Sequence, residues 1–352
     1  MTKQRQSNIE LLRIVAMFLI VLTHANIFSL GRPKMANFEA EPVWTGVRFA
    51  VQSFSYIGVN LFILISGYFG IKPRFKAVSS FLFYVLFFSL FCLLGLWIVG
   101  LAIGQPLVKP EMWGNALRIL TKYNWFIPAY LMLMLFAPAL NSWCAAATRR
   151  QLLLATLLLF AASTYLGWMT HGLKEFLDGY SFPSLILLYL IGRYLRLHGG
   201  YLMRRSRRTD MIHFLAYVAV NTALALWRIP HPYEMSLFAL NNPLQLYGTV
   251  CFFVYFTKLH FQNQTVNSIA RSTFGIFLLQ MHPQVMPWFR KAVKYLYGNA
   301  GHGIFSAEVV GLVIAFCIAG ILIDRLRAPL WRQIDEPLDR LYHRLKAKLP
   351  AL

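Results

Sequence analysis

Apolar stretches of about 20 residues, the length a bilayer-spanning helix needs, recur along the whole chain between short polar segments. Ten of them, near 9–29, 45–70, 79–103, 120–141, 151–170, 182–199, 210–228, 236–259, 268–289 and 304–326, predict an all-α, multi-pass membrane protein. No polar block between them is large enough for a soluble domain. The pattern therefore predicts one transmembrane domain over 1–330 and a tail over 331–352. In that tail Ile334, Leu338, Leu341 and Leu345 recur at helical spacing among Arg and Lys, as in an amphipathic helix lying on the cytoplasmic leaflet.

The first stretch breaks its own pattern. Arg13 and His24 interrupt it eleven positions apart, and Glu10 precedes them. At 3.6 residues per turn, eleven steps close about three turns, which puts Arg13 and His24 on one helix face, about 16 Å apart along the axis. An arginine at the centre of a bilayer costs at least roughly 2.5–3.5 kcal/mol on insertion scales, so such groups face a bundle interior or a wet cavity. Two plainer roles compete: Arg13 as a snorkelling anchor, and His24 as a hydrogen-bonding partner of a neighbouring helix. Basic residues before this stretch also imitate a signal peptide, but a cleaved leader does not need a glutamate, an arginine and a histidine along its helix.

Three further breaches follow. The second stretch ends in Asn60, Ser66, Gly67 and Tyr68, where small and polar groups allow close helix approach and bonding across an interface. Directly after it Lys72, Arg74 and Lys76 form a cluster able to dock a polyanion, or to act as a topology signal. Asn124, Trp125 and Pro128 open the fourth stretch, where the indole suits stacking on a sugar or an aromatic belt. The ninth carries Gln280, His282 and Pro283, and the proline frees a backbone carbonyl at membrane depth.

Composition agrees with the pattern: 58% of the residues are hydrophobic and only 13% charged. The net charge of +21 would suit a nucleic-acid partner, but its placement reports topology instead. With the N-terminus inside, the cytoplasmic segments, including Arg204, Arg205, Arg207 and Arg208 and the run from Arg325 to Lys348, hold more than twice the Lys and Arg of the opposite side. Both termini are thus expected in the cytoplasm, with membrane lipids, and no nucleic acid, as partners; the arginine run reads as an anchor touching anionic headgroups. The four cysteines are widely spaced, without metal or redox spacing, and no metal is expected.

At these residues the chain resembles the integral-membrane acyltransferase type three family, bacterial ten-helix proteins that move acyl groups from a CoA thioester to carbohydrate. The most specific match is Arg-x10-His on the first helix, at Arg13 and His24, with Glu10 at the preceding acidic position. The segment Leu61–Phe69, the pair Trp125-Phe126 and the stretch Gly275–Pro283 match in the same order. Where many relatives have histidine this chain has Gln280, with His282 two positions on, and the basic loop offers only Lys72, Arg74 and Lys76.

The resemblance implies a multi-pass protein of the bacterial cytoplasmic membrane, without an appended esterase-like domain. Its expected reaction is O-acylation, with an acyl-CoA, in the first place acetyl-CoA, as donor and a cell-surface polysaccharide or lipid-linked glycan as acceptor. On this reading His24 is the general base, an imidazole's ordinary pKa of about 6.5 suiting it to the task. Arg13, Ser66, Tyr68, Lys72, Arg74 and Lys76 hold the donor, Glu10 orients the Arg13 guanidinium, and Asn60, Trp125 and His282 meet the acceptor. The competing class is a transporter or flippase of a polyprenyl-linked sugar, which also needs polar groups inside many helices and commonly shows internal repeats. No convincing self-similarity joins the two halves.

Overall fold

The structure, a computed structural model, describes residues 5–348 except 73, 115, 117–123, 171 and 231–235, and leaves aside the side chains of 177 and 345–348. The described residues form helices joined by turns and loops and contain no strand. The helices used below are α1 (Ser7–Ala25), α2 (Pro42–Ser55), α3 (Gly58–Phe69), α4 (Phe75–Ala102), α5 (Phe126–Ala146), α6 (Arg149–Ala162), α7 (Phe182–His198), α8 (Arg207–Trp227), α9 (Pro243–Thr257), α10 (Gln264–Ala270), α11 (Thr273–Gln280), α12 (Met286–Asn299) and α13 (His302–Lys348).

Each of the ten predicted stretches contains helix, but the eighth is helical only from Pro243, the ninth is interrupted, and the start of the fourth, at 120, lies outside the described residues. Among the described residues seven segments are long and apolar enough to cross a membrane. The sixth, eighth and ninth stretches are shorter: α7 has 17 residues, α9 has 15, and the ninth is divided into α10 and α11. That last helix stops at Gln280, three residues before Pro283, which has no N–H to continue the ladder.

Two elements differ from expectation. The tail is not a separate helix: α13 runs unbroken through Pro329 and Pro337 to Lys348. It docks on the start of α4, where Phe75 stacks on Tyr342 at 4.4 Å and Lys76 pairs with Asp335. The ninth stretch was expected to end at 289, but a separate helix, α12, runs from Met286 to Asn299, through residues read from sequence as a loop; it buries Met286, Phe289 and Val293 on one face and is amphipathic along its length.

Helix α1 is the centre of the bundle, and its residues join two adjoining cores. Ile9, Leu12, Ala16 and Leu19 pack with α3, α8 and α9, whereas Met17, Ile20, Val21 and Ala25 pack with α4, α11 and α13. The closest crossing joins α3 to α7. A Cβ on Gly67 would lie 2.3 Å from the Tyr189 carbonyl oxygen, and one on Gly192 would lie 2.5 Å from that of Leu64, so two glycines set the helix separation. The small residue noted at Gly67 is therefore a packing device.

One member of the basic run 204–208, Arg205, departs from the anchor reading, while Arg204, Arg207 and Arg208 are exposed. Arg205 donates to the buried Asp210 carboxylate at 2.6 Å, and Lys258 pairs with its other oxygen while donating to the Leu202 and Arg205 carbonyls. Asp210 is fully buried, and an uncompensated charge there would be costly, so this arginine faces protein rather than headgroups.

Candidate active site

Arg13 and His24 lie on α1 as their spacing predicts, and each lines a cavity of its own. The first, of about 360 Å³, is bordered by Arg5, Arg13, Ser66, Tyr130 and Arg271. The second, of about 310 Å³, is bordered by Thr23, His24, Tyr56, Trp125 and Tyr180. Ile20, Val59, Phe126 and Phe277 line both, so an apolar neck separates two chambers along one helix face. Beyond His24 a third concavity of about 500 Å³ shares His24, Phe28 and Met281 with the second chamber.

Around His24 most polar groups are held by partners, and the buried Gln280 Nε2 is an exception. The His24 Nδ1 is 2.9 Å from Gln280 Oε1, and both side chains are buried. With Nδ1–H donating to the amide oxygen, Nε2 keeps its lone pair; the ring stands nearly perpendicular to that of Phe28, their centres 5.0 Å apart. Ser29 donates to the His24 carbonyl at 2.6 Å, and Thr23 to Ser55 at 2.8 Å. The Tyr56 and Tyr180 hydroxyls are bonded to each other.

One wall of the path is aromatic. Trp125 stands edge-on to Phe126 and Tyr180, and Phe126 stacks on Tyr130 at 5.5 Å. Asn124, expected to shape this wall, caps α5 by accepting from the Phe126 N–H at 2.8 Å.

The Arg13 chamber is less complete. Arg13 Nε is buried without a hydrogen-bond partner. Ser66 meets the Tyr130 hydroxyl at 3.2 Å and donates to the Phe62 carbonyl at 2.9 Å. Glu10 does not orient Arg13: its carboxylate is 3.4 Å from Arg5 Nη1, one of the other guanidinium groups at this chamber.

The other candidates are placed elsewhere. Tyr68 belongs to the α3–α7 contact, with the Arg196 guanidinium 5.1 Å above its ring and bonded to its hydroxyl. Lys72, Arg74 and Lys76 are exposed, and the chamber wall on α4 begins one residue later, with Ala77 and Ser80. Asn60, fully buried, donates to the Leu240 carbonyl at 2.9 Å and lines neither chamber. His282 is buried past the end of α11, where its Nδ1 accepts from the Gln284 N–H at 3.2 Å and closes the turn. The helix ends at Gln280, which meets His24, while His282 lies in the turn that follows and bonds the backbone of that turn.

Sequence reasoning missed Arg5, Arg271, Tyr56, Tyr130 and Tyr180, which converge from separate helices and turns with no shared spacing. For Gln280 a signal existed: a polar residue in an apolar run, at the position where similar proteins carry histidine.

The sequence profile of the acyltransferase 3 family, described as an acyltransferase domain, matches residues 6–324. No curated protein and no solved structure matches the chain.

Proposed function

The chain belongs to the acyltransferase 3 family, and from that premise we propose that it is a membrane-embedded O-acyltransferase, moving an acyl group, acetyl in the first place, from acyl-CoA to a hydroxyl of a cell-surface polysaccharide or lipid-linked glycan. Support for this reading comes chiefly from one observation. A guanidinium and an imidazole on one face of the central helix each open into a chamber, and the chambers share a wall. We read all ten helical stretches as spanning or re-entrant, both termini as cytoplasmic from the charge distribution, and the membrane as the bacterial inner one.

In this orientation the CoA phosphates sit at the cytoplasmic chamber, against Arg13, Arg5 and Arg271, in charge-assisted hydrogen bonds. The donor's extended arm passes the neck of Ile20, Val59, Phe126 and Phe277 and presents its thioester near His24. An acceptor hydroxyl then attacks the thioester carbonyl: the C–O bond forms, the C–S bond breaks, and His24 Nε2 takes the hydroxyl proton and returns it to the departing thiolate. Gln280 fixes the ring through Nδ1, and the Tyr56–Tyr180 pair offers a hydroxyl to the developing oxyanion. Trp125 gives a sugar ring a surface to stack on.

The test is transfer from labelled acyl-CoA to a lipid-linked glycan in membranes carrying the wild type or His24→Ala. Normal transfer by a correctly inserted variant sinks the assignment. One observation favours a second reading, transport of a polyprenyl-linked sugar: consecutive cavities along one helix face also describe a permeation path. Purified protein separates the two, because a transporter neither hydrolyses acyl-CoA nor transfers its acyl group.

A further inference from the structure

The concavity beyond His24 has a charge that the reaction above does not use. Arg290, Lys291 and Lys294, on two successive turns of α12, line it together with His24. An adjoining face of α12 is fixed in the core by Met286, Phe289 and Val293, so the three cations are presented by an anchored helix. Among the described residues no acidic side chain lines this mouth and none of the three cations is in an ion pair; Lys291 lies 5.2 Å over the Trp288 ring. Three cations within five residues on the outer side also run against the usual distribution of charge across a membrane, so topology does not account for them.

We propose, resting on the acyltransferase reading, that the acceptor carries an oxyanion, phosphate or carboxylate, which Arg290, Lys291 and Lys294 hold at the outer mouth while a hydroxyl of the same molecule reaches His24. The concavity is continuous with the His24 chamber through Phe28 and Met281, so a group bound at the cations is adjacent to the base. An amphipathic helix at a membrane surface also attracts anionic headgroups, and the same oxyanion chemistry would then come from lipid.

The experiment measures how fast an amine-reactive ester labels Lys291 and Lys294 in full-length protein in phosphatidylcholine nanodiscs, read by mass spectrometry. Glucose 1-phosphate and glucuronate are the anionic probes, glucose is the neutral one, and nanodiscs containing phosphatidylglycerol form the lipid arm. Several-fold slower labelling with an anionic sugar, none with glucose, and none with phosphatidylglycerol alone is the expected result. Arg290→Gln then raises the glucose 1-phosphate concentration needed for half-protection by about tenfold, roughly the worth of one charge-assisted bond. Equal protection by glucose, or no protection by either anion, overturns the proposal, and protection by phosphatidylglycerol alone reassigns the cations to lipid. Labelling needs no acyl-CoA, so protected lysines in a protein that transfers no acyl group would refute the reaction and leave this site standing.

Discussion

The two ends of α1 treat their polar groups differently. At the His24 end the ring is bonded to Gln280, its carbonyl to Ser29, and the neighbouring Tyr56 and Tyr180 to each other, and the one unpartnered buried atom of this group, Gln280 Nε2, is neutral. At the Arg13 end the buried Nε has no partner, the other charged groups lining the chamber are the guanidiniums of Arg5 and Arg271, and the nearby Glu10 is engaged with Arg5. A buried donor left unmade costs about 1–3 kcal/mol, more when charged. On the proposed reading an incoming anion completes the Arg13 donor. The His24 chamber, the outer one, on that reading holds the base, and the Arg13 chamber, the inner one, receives the donor phosphates.

Removing the base breaks this division most severely. His24→Ala is expected to lower acyl transfer by about 10²–10⁴-fold, the usual worth of general-base catalysis, with the half-saturating acyl-CoA concentration unchanged. Quenched-flow transfer assays on correctly inserted protein measure both quantities. A variant that loses donor binding instead would place His24 in the donor site and erase the distinction between chambers.

The opposite pattern is expected at the other end. Arg13→Gln removes a charged donor that Arg5 and Arg271 replace only in part, so KM for acyl-CoA rises by about 10- to 100-fold, the effect of losing one hydrogen bond to a charged group. Turnover at saturating donor changes little. A fall in kcat without a change in KM would mean that Arg13 acts on the reacting carbonyl and not on the phosphates.

Gln280 sharpens the comparison within the outer chamber. Gln280→Leu removes a neutral bond and is expected to lower kcat by about two- to tenfold, with both KM values unmoved. Gln280→His retains a group able to bond Nδ1 and restores much of the rate, together with a shifted pH profile from the added imidazole. If Leu and His behave alike, Gln280 is packing and the orientation of His24 has another cause.

How much of this was legible in the sequence follows from the range of each signal. The Arg13–His24 face is a property of a single helix, so spacing alone located it. The helical stretches were legible because an apolar run of spanning length has few alternatives. Partnership between helices left no such trace: Glu10 is one turn from Arg13 yet bonds Arg5, and His282 sits two residues from the position that meets His24. Asn60 breaches apolarity as visibly as Gln280 does, but it holds the Leu240 carbonyl and lines neither chamber. Polarity in a span marks a buried partner, and only the packing says which one. Helix α12 was missed as a separate element for a related reason, since Met286 and Phe289 read as the end of the ninth stretch and the rest of the helix, with Val293 among cations, as a loop.

The smallest effect is expected just outside the inner chamber. Lys72 and Arg74 are exposed, the chamber wall on α4 starts at Ala77, and Lys76 is occupied by Asp335 of α13. Exposed charges are screened within about 8–10 Å at ordinary ionic strength and contribute little individually, so Arg74→Glu is expected to change KM for acyl-CoA by less than about twofold. The measurement is informative because the loop and the chamber compete for the same ligand: if the donor phosphates rested on the loop, this reversal would exceed the effect of Arg13→Gln and would fade as salt is raised. A tenfold, salt-sensitive increase at Arg74 with a weak effect at Arg13 would therefore move the donor site out of the bundle and leave the unpartnered Arg13 Nε without the role assigned to it.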